Sequence, residues 1–146
     1  MSKSNAFETA FLAHVFLNLP IPGIGDATGL PASAVAGSLY LSLHTADPGE
    51  AGDQTTSECA YAGYARRAVA RSGAGWTVAG DTASPVADTD FPEAPMGSPD
   101  ITHFGVGTAA SGAGLLLWSG PFAAPISCAA QAVIPRLKAT STITED

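Results

Sequence analysis

The sequence predicts a mainly β protein, an antiparallel β-sandwich or small barrel preceded by one N-terminal α-helix and an extended linker arm. Three observations carry this. The 146 residues include 16 Gly and 11 Pro, a composition suited to many short strands joined by tight turns. Charged residues make up 13% of the chain against 46% hydrophobic. That charge content is about half the usual quarter, which excludes a disordered chain and a solvated helical bundle. Only one segment, residues 5–19, shows helical periodicity, whereas later apolar runs are short or alternate. The length suits a single chain of two parts, an N-terminal helix and arm over 1–37 and a β-domain over 38–146.

The helix is expected to be capped by Asn5, with Glu8 three residues later as in a capping box, and to be stopped by Pro20. Phe7, Phe11 and Val15 recur at i, i+4 and i+8, with Leu12, Phe16 and Leu19 beside them. So broad a stripe must be buried. Two burials satisfy it: packing on the chain's own sheet, or docking on a partner subunit. These six residues, with Trp118, are the candidate subunit interface. Residues 19–37 form a Pro/Gly/Ala linker with little periodicity, long for a loop in a compact domain.

In residues 38–49 the pattern changes. Leu39, Leu41 and Leu43 alternate with Tyr40, Ser42 and His44, as in a half-buried strand, and Asp47-Pro48-Gly49 ends it. Residues 50–62 read as a polar, solvated loop. Strands are expected at 64–71 and at 76–79 or a little beyond, around Ser72-Gly73-Ala74-Gly75, and again near 101–107, 115–119, 126–134 and 137–144. Prolines 92, 95 and 99 make 88–100 an edge strand or loop.

Gly105-x-Gly107-x-x-Ala110 follows a strand-like run and resembles the spacing of a dinucleotide loop. That loop needs a helix after it and an acid about 20 residues on. Here Gly112, Gly114 and Pro121 bracket a short apolar run, Leu115–Trp118, and no acid occurs between Asp100 and Glu145. The segment therefore predicts a hairpin around a buried strand, and "RSGAGW" at 71–76 reads as a second hairpin with the same turn chemistry.

No other motif predicts catalysis or a cofactor. His14, His44 and His103 show no paired metal spacing, and Ser72 and Ser111 lack the upstream glycine of a nucleophile elbow. His44 and His103 are expected to be hydrogen-bonded strand residues. A triad of His44, Asp47 and a serine is geometrically open but unsupported by spacing. Glu50, Asp53 and Glu58 share a loop without the dense spacing of a calcium site. The expectation is no enzyme, no cofactor and no metal.

Thirteen acids against six bases give a formal charge of −7, without the basic footprint of a nucleic-acid binder. Arg66 and Arg67 would face opposite sides of a strand, which disperses the one basic cluster. Cys59 and Cys128 read as small buried thiols, with a disulfide between them left open. The N-terminal apolar stretch is interrupted by Glu8 and His14, so neither a signal peptide nor a membrane span is predicted.

Residues 38–52 ("SLYLSLHTADPGEAG"), 61–78 ("YAGYARRAVARSGAGWTV"), 101–120 ("ITHFGVGTAASGAGLLLWSG") and the terminal "ITED", with the opening "SNAFETAFL", together resemble a family of small tailed-bacteriophage virion proteins, often labelled tail fibre or phage structural protein. The resemblance implies a virion component without catalysis, assembled in the bacterial host cytoplasm. A chain without heptads, collagen-like repeat or low-complexity shaft forms no long fibre alone. The leading expectation is a capsid decoration (cement) protein that stabilises the head shell as a symmetric oligomer such as a trimer. The alternative is a tail fibre, tail-tip or other tail-associated protein. Expected partners are other copies of the chain and the major capsid protein or tail proteins, with no nucleic acid and no membrane.

Overall fold

The computed structural model describes residues 2–145; Met1 and Asp146, the outer limits of the two predicted segments, lie outside the described residues. The elements are α1 (Asn5–Leu17), β1 (Ser38–His44), β2 (Arg67–Ala70), β3 (Trp76–Ala79), β4 (Thr82–Pro85), β5 (Thr89–Asp90), β6 (Ser98–Gly107), β7 (Leu116–Cys128), β8 (Arg136–Leu137) and β9 (Ile143–Thr144). They form a four-stranded sheet ordered β2-β1-β6-β7, a three-stranded sheet β3-β4-β9 and a two-stranded ladder β5-β8. The protein is mainly β with one N-terminal helix and antiparallel sheets, and among the described residues no sheet closes into a barrel.

The chain divides into two compact units. The first gathers the residues up to Ser38, Val69–Asp88 and those from Lys138 onward; the second gathers Leu39–Ala68 and Thr89–Leu137. The N-terminal segment therefore lies in the first unit together with β3, β4 and β9.

In the first unit, Ser4 rather than Asn5 caps α1, with extended φ and ψ and its hydroxyl accepting from the Phe7 amide. Ser and Asn are equally good caps, and the helix enters one residue early. Glu8 consequently falls outside capping-box register and is buried. Asn18 ends the helix in the left-handed region at φ 57°, two residues before Pro20. The Arg71 guanidinium donates to the Val15 and His14 carbonyls, each at 2.6 Å, completing groups that a helix C-terminus leaves unpaired.

The linker is not extended. Ile21 and Leu30 exchange two backbone hydrogen bonds at 2.9 Å. The Asn18 side chain holds both the amide and the carbonyl of Ser33 at 2.8 and 2.9 Å, so the arm folds back on the helix end. The β3–β4 pair turns over Gly80-Asp81, with Gly80 at φ +62°, a two-residue hairpin connection. β4 was not anticipated, because Thr82-Ala83-Ser84-Pro85 has no apolar alternation. Ser72–Gly75 is no hairpin either: it joins β2 to β3, which belong to different sheets.

In the second unit, β1 pairs with β6 so that Leu41 opposes Val106 and Leu43 opposes Phe104. β1 is buried on both faces from Leu41 to His44 rather than on one, because the 53–58 loop covers the Ser42 and His44 side. β6 and β7 form the expected hairpin. β7, however, runs unbroken through Pro121 and Pro125. It is an edge strand, where a missing amide donor is tolerated. Edge position also explains why the Leu115–Trp118 run is not buried: Leu115 is exposed and Leu116, Leu117 and Trp118 are half-buried. The strands expected over 126–134 and 137–144 shrink to the end of β7 and the two-residue β8 and β9. Cys59 and Cys128 are free and buried.

In the hairpin loop only Gly112 has positive φ, at +73°. Gly107 and Gly114 are required for another reason: a Cβ on either would collide with the Gln54 side chain. Gly112→Ala should therefore cost about 1–2 kcal/mol through backbone strain. Gly107→Val should cost more, because it displaces a buried side chain. Urea unfolding measures both, and midpoints unchanged from wild type would remove these roles.

Candidate functional site

The most elaborate constellation lies in the second unit. Arg66 stands just ahead of β2 with its side chain only 2% exposed. Its Nε and Nη2 donate to the two carboxylate oxygens of Glu58 at 2.6 and 2.7 Å. Its Nη1 and Nη2 donate to the Ala109 and Gly112 carbonyls at 2.9 and 2.8 Å. The Tyr64 hydroxyl donates to Glu58 Oε1 at 2.9 Å and accepts from the Leu43 amide at 3.0 Å. One guanidinium thus ties the 50–62 loop to the tip of the β6–β7 hairpin, in the bidentate geometry that favours Arg over Lys.

Protonation states follow from these contacts. The hydrogen bonds to Glu58 hold Arg66 above its ordinary value, and burial pushes Tyr64 up. Burial also raises the Cys59 thiol and the Tyr61 hydroxyl, each to about 12. Around neutrality these groups keep their protons, as a brace requires.

Gln54 makes a second tie. Its backbone amide donates to the Gly114 carbonyl at 3.2 Å and its Oε1 accepts from the Ala109 amide at 2.9 Å. Its Nε2 is buried and has no partner among the described residues. The loop is therefore not the solvated acidic stretch its composition suggested. Asp53 accepts from the Thr55 amide and hydroxyl at 2.7 and 2.6 Å, which lowers its carboxyl, and Glu58 is held by Arg66. These acids do not converge. Among the described residues no group of three His, Cys, Asp or Glu could hold a metal ion.

His44 is fully buried. Its Nδ1 donates to the Thr56 carbonyl at 2.9 Å, so its Nε2 accepts from the Ser42 hydroxyl at 2.8 Å. The carbonyl occupies the orienting position that Asp47 was considered for; Asp47 instead accepts from the Gly49 amide at 2.9 Å. The Ser42–His44 contact has the length of a nucleophile–base pair, but both residues are 0% exposed. Gly105 also crowds them, because a Cβ there would stand 2.7 Å from Ser42 Oγ and 2.8 Å from His44 Nε2.

Burial lowers His44 from its ordinary 6.5 against the opposing hydrogen bond to Thr56 and the charge of Glu58, with Arg66 and His103 acting in the lowering direction. Well above pH 6.5 the imidazole is neutral in folded and unfolded chains alike. Below that the unfolded chain takes up a proton that the folded chain resists, so stability falls as pH drops toward the lowered folded value. The slope reaches at most about 1.4 kcal/mol per pH unit. His44→Asn should flatten the dependence below about pH 6.5 in pH-resolved urea unfolding. An unchanged slope would assign the effect to another group.

The residues of the expected interface separate. Leu12 and Phe16 are fully buried where α1 packs on β3 and β4, and the Phe16 ring lies 4.6 Å from that of Trp76. Phe11 and Val15 are half-buried, while Phe7 and Leu19 are 39% and 48% exposed. Trp118 lies in the second unit, half-buried on β7. The stripe thus serves internal packing through one edge and meets solvent through the other. Sequence reasoning missed the Arg66 clasp. The signal was present in the Arg66-Arg67 pair: adjacent strand positions face opposite ways, and Arg67 indeed turns elsewhere, donating to the Asp90 carbonyl at 2.6 Å.

Open antiparallel sheets whose loops are tied down by buried side-chain clasps make this a small, mainly β chain. The family model described as Podophage GP4 fiber I protein gp80 matches residues 26–143, and the chain belongs to that family. The matched span begins within the arm and leaves α1 outside it. No curated protein matches the chain.

Proposed function

We propose that the chain is a non-enzymatic structural subunit of the fibre apparatus of a bacteriophage virion, acting without cofactor or metal and contacting tail proteins and other copies of itself. The family match over residues 26–143 supports the fibre assignment. The Arg66–Glu58 clasp supports the mechanical role, since a bidentate ion pair that also holds two hairpin carbonyls fixes loop geometry. The subunit is assembled in the host cytoplasm and incorporated as a folded part.

Capsid decoration is the second reading. It draws on the lack of any shaft among the described residues: the longest elements are the 13-residue α1 and β7. Copy number in purified particles distinguishes the two. A count on the scale of the shell's own subunits supports decoration, whereas a small multiple of the tail's symmetry supports the fibre assignment. Absence from particles would overturn both.

A further inference from the structure

The chain carries thirteen acids and six bases, and five of the bases are engaged internally. Lys3 pairs with Glu145, Arg66 with Glu58 and Arg136 with Asp90. Arg67 and Arg71 donate to backbone carbonyls. Glu145, Glu58 and Asp90 take up three of these bases, whereas among the described residues no ion pair engages Asp47 or Glu50. Asp47 and Glu50 are exposed on the turn after β1 and form one wall of a groove of about 480 Å³, whose other wall is Leu116, Leu117 and Trp118 at the start of β7.

We propose that this groove docks an arginine- or lysine-bearing segment of a different virion protein. The two walls suit the two halves of such a side chain. Its aliphatic stem covers the half-buried Leu116, Leu117 and Trp118, and its charged head reaches the carboxylates. A cation beside the indole gains further attraction. Asp47 is already oriented by its hydrogen bond to the Gly49 amide, which lowers the ordering cost of binding. Charge complementarity also selects the occupant. Among the described residues a second copy of this chain has only Lys138 beyond its engaged bases, and the copy is itself net negative, so self-docking here would bring acid against acid. The sheet edge does not favour strand addition either: the register between β6 and β7 shifts at Val106/Gly107, and such irregularities blunt an edge.

The inference rests on the chain being a virion subunit, and two measurements separate the claims. In the first, full-length protein is titrated with N-acetyl-Arg-Leu-Arg-amide and with the glutamine counterpart, while NMR follows the Trp118 indole and the 47–52 amides. The arginine peptide should shift these signals, weaken with rising salt, and lose at least about tenfold in affinity in D47N/E50Q. No shift at millimolar peptide, equal shifts with the glutamine peptide, or binding that survives D47N/E50Q would overturn the proposal. In the second, wild type and D47N/E50K are supplied to assembling particles and counted after purification. Both acids are exposed and an Asn side chain still accepts from the Gly49 amide, so the variant should keep the wild-type urea midpoint yet be depleted from particles. Equal incorporation overturns the groove alone, whereas absence of wild type overturns the virion reading and the groove with it.

Discussion

Glu58→Ala should destabilise the second unit by about 3–5 kcal/mol, the cost of leaving a buried charge without its partner. The expectation follows from asymmetry within the pair. Arg66 is the more deeply buried member, at 2% side-chain exposure against 15% for Glu58, and it cannot discharge by losing a proton. Its remaining contacts are the Ala109 and Gly112 carbonyls, which accept hydrogen bonds but carry no full charge. Removing both charges should be far gentler. E58Q/R66M exchanges the ion pair for groups of similar volume, a change that is often close to neutral, although the hairpin tip then loses its two carbonyl contacts. A double-mutant cycle by urea unfolding therefore tests the clasp directly. If the two single variants and the double variant all lie within about 0.5 kcal/mol of wild type, the guanidinium is not bracing the hairpin.

The parts of the fold legible in the sequence were those written in short-range periodicity. The α1 stripe, the Leu39–Leu41–Leu43 alternation and the glycine-rich hairpin each depend on neighbours within one element. What escaped depended on partners far along the chain. Arg66 finds Glu58 eight residues away and Ala109 forty-three away, a convergence that composition cannot signal. Low charge content made the loop acids look like solvent-facing residues, yet in so sparsely charged a chain a retained Arg is a candidate for internal duty. β7 was divided because prolines at 121 and 125 ordinarily interrupt a strand; only its edge position, a property of the whole sheet, permits them. Ser72–Gly75 shares its chemistry with the 111–114 loop but joins strands of different sheets. Turn residues specify a change of direction, not the partner of the strand that follows.

The first unit yields the other large effect. Phe16→Ala should cost about 3–5 kcal/mol, because Phe16 is fully buried against Trp76, itself 1% exposed, and β3 and β4 cannot close over the space left by a phenyl ring. Leu12→Ala, on the same face, should cost about 2–5 kcal/mol. Phe7→Ala and Leu19→Ala, on the exposed edge, should cost less than either, although Phe7 stacks on Phe11. This split turns the two possible duties of the α1 stripe into separable measurements. If α1 only completes its own unit, incorporation into particles should follow stability, and F7A/L19A should be incorporated normally. If α1 also meets a neighbouring subunit, F7A/L19A should be depleted from particles further than its urea midpoint accounts for. Deleting residues 1–37 removes both faces at once, and with Phe16 gone from Trp76 the truncated chain should show red-shifted tryptophan emission and loss of the β3-β4-β9 sheet. A truncated chain that keeps its native emission and unfolding midpoint would mean that the helix contributes nothing to its own unit, and that Leu12 and Phe16 are replaceable there despite their burial.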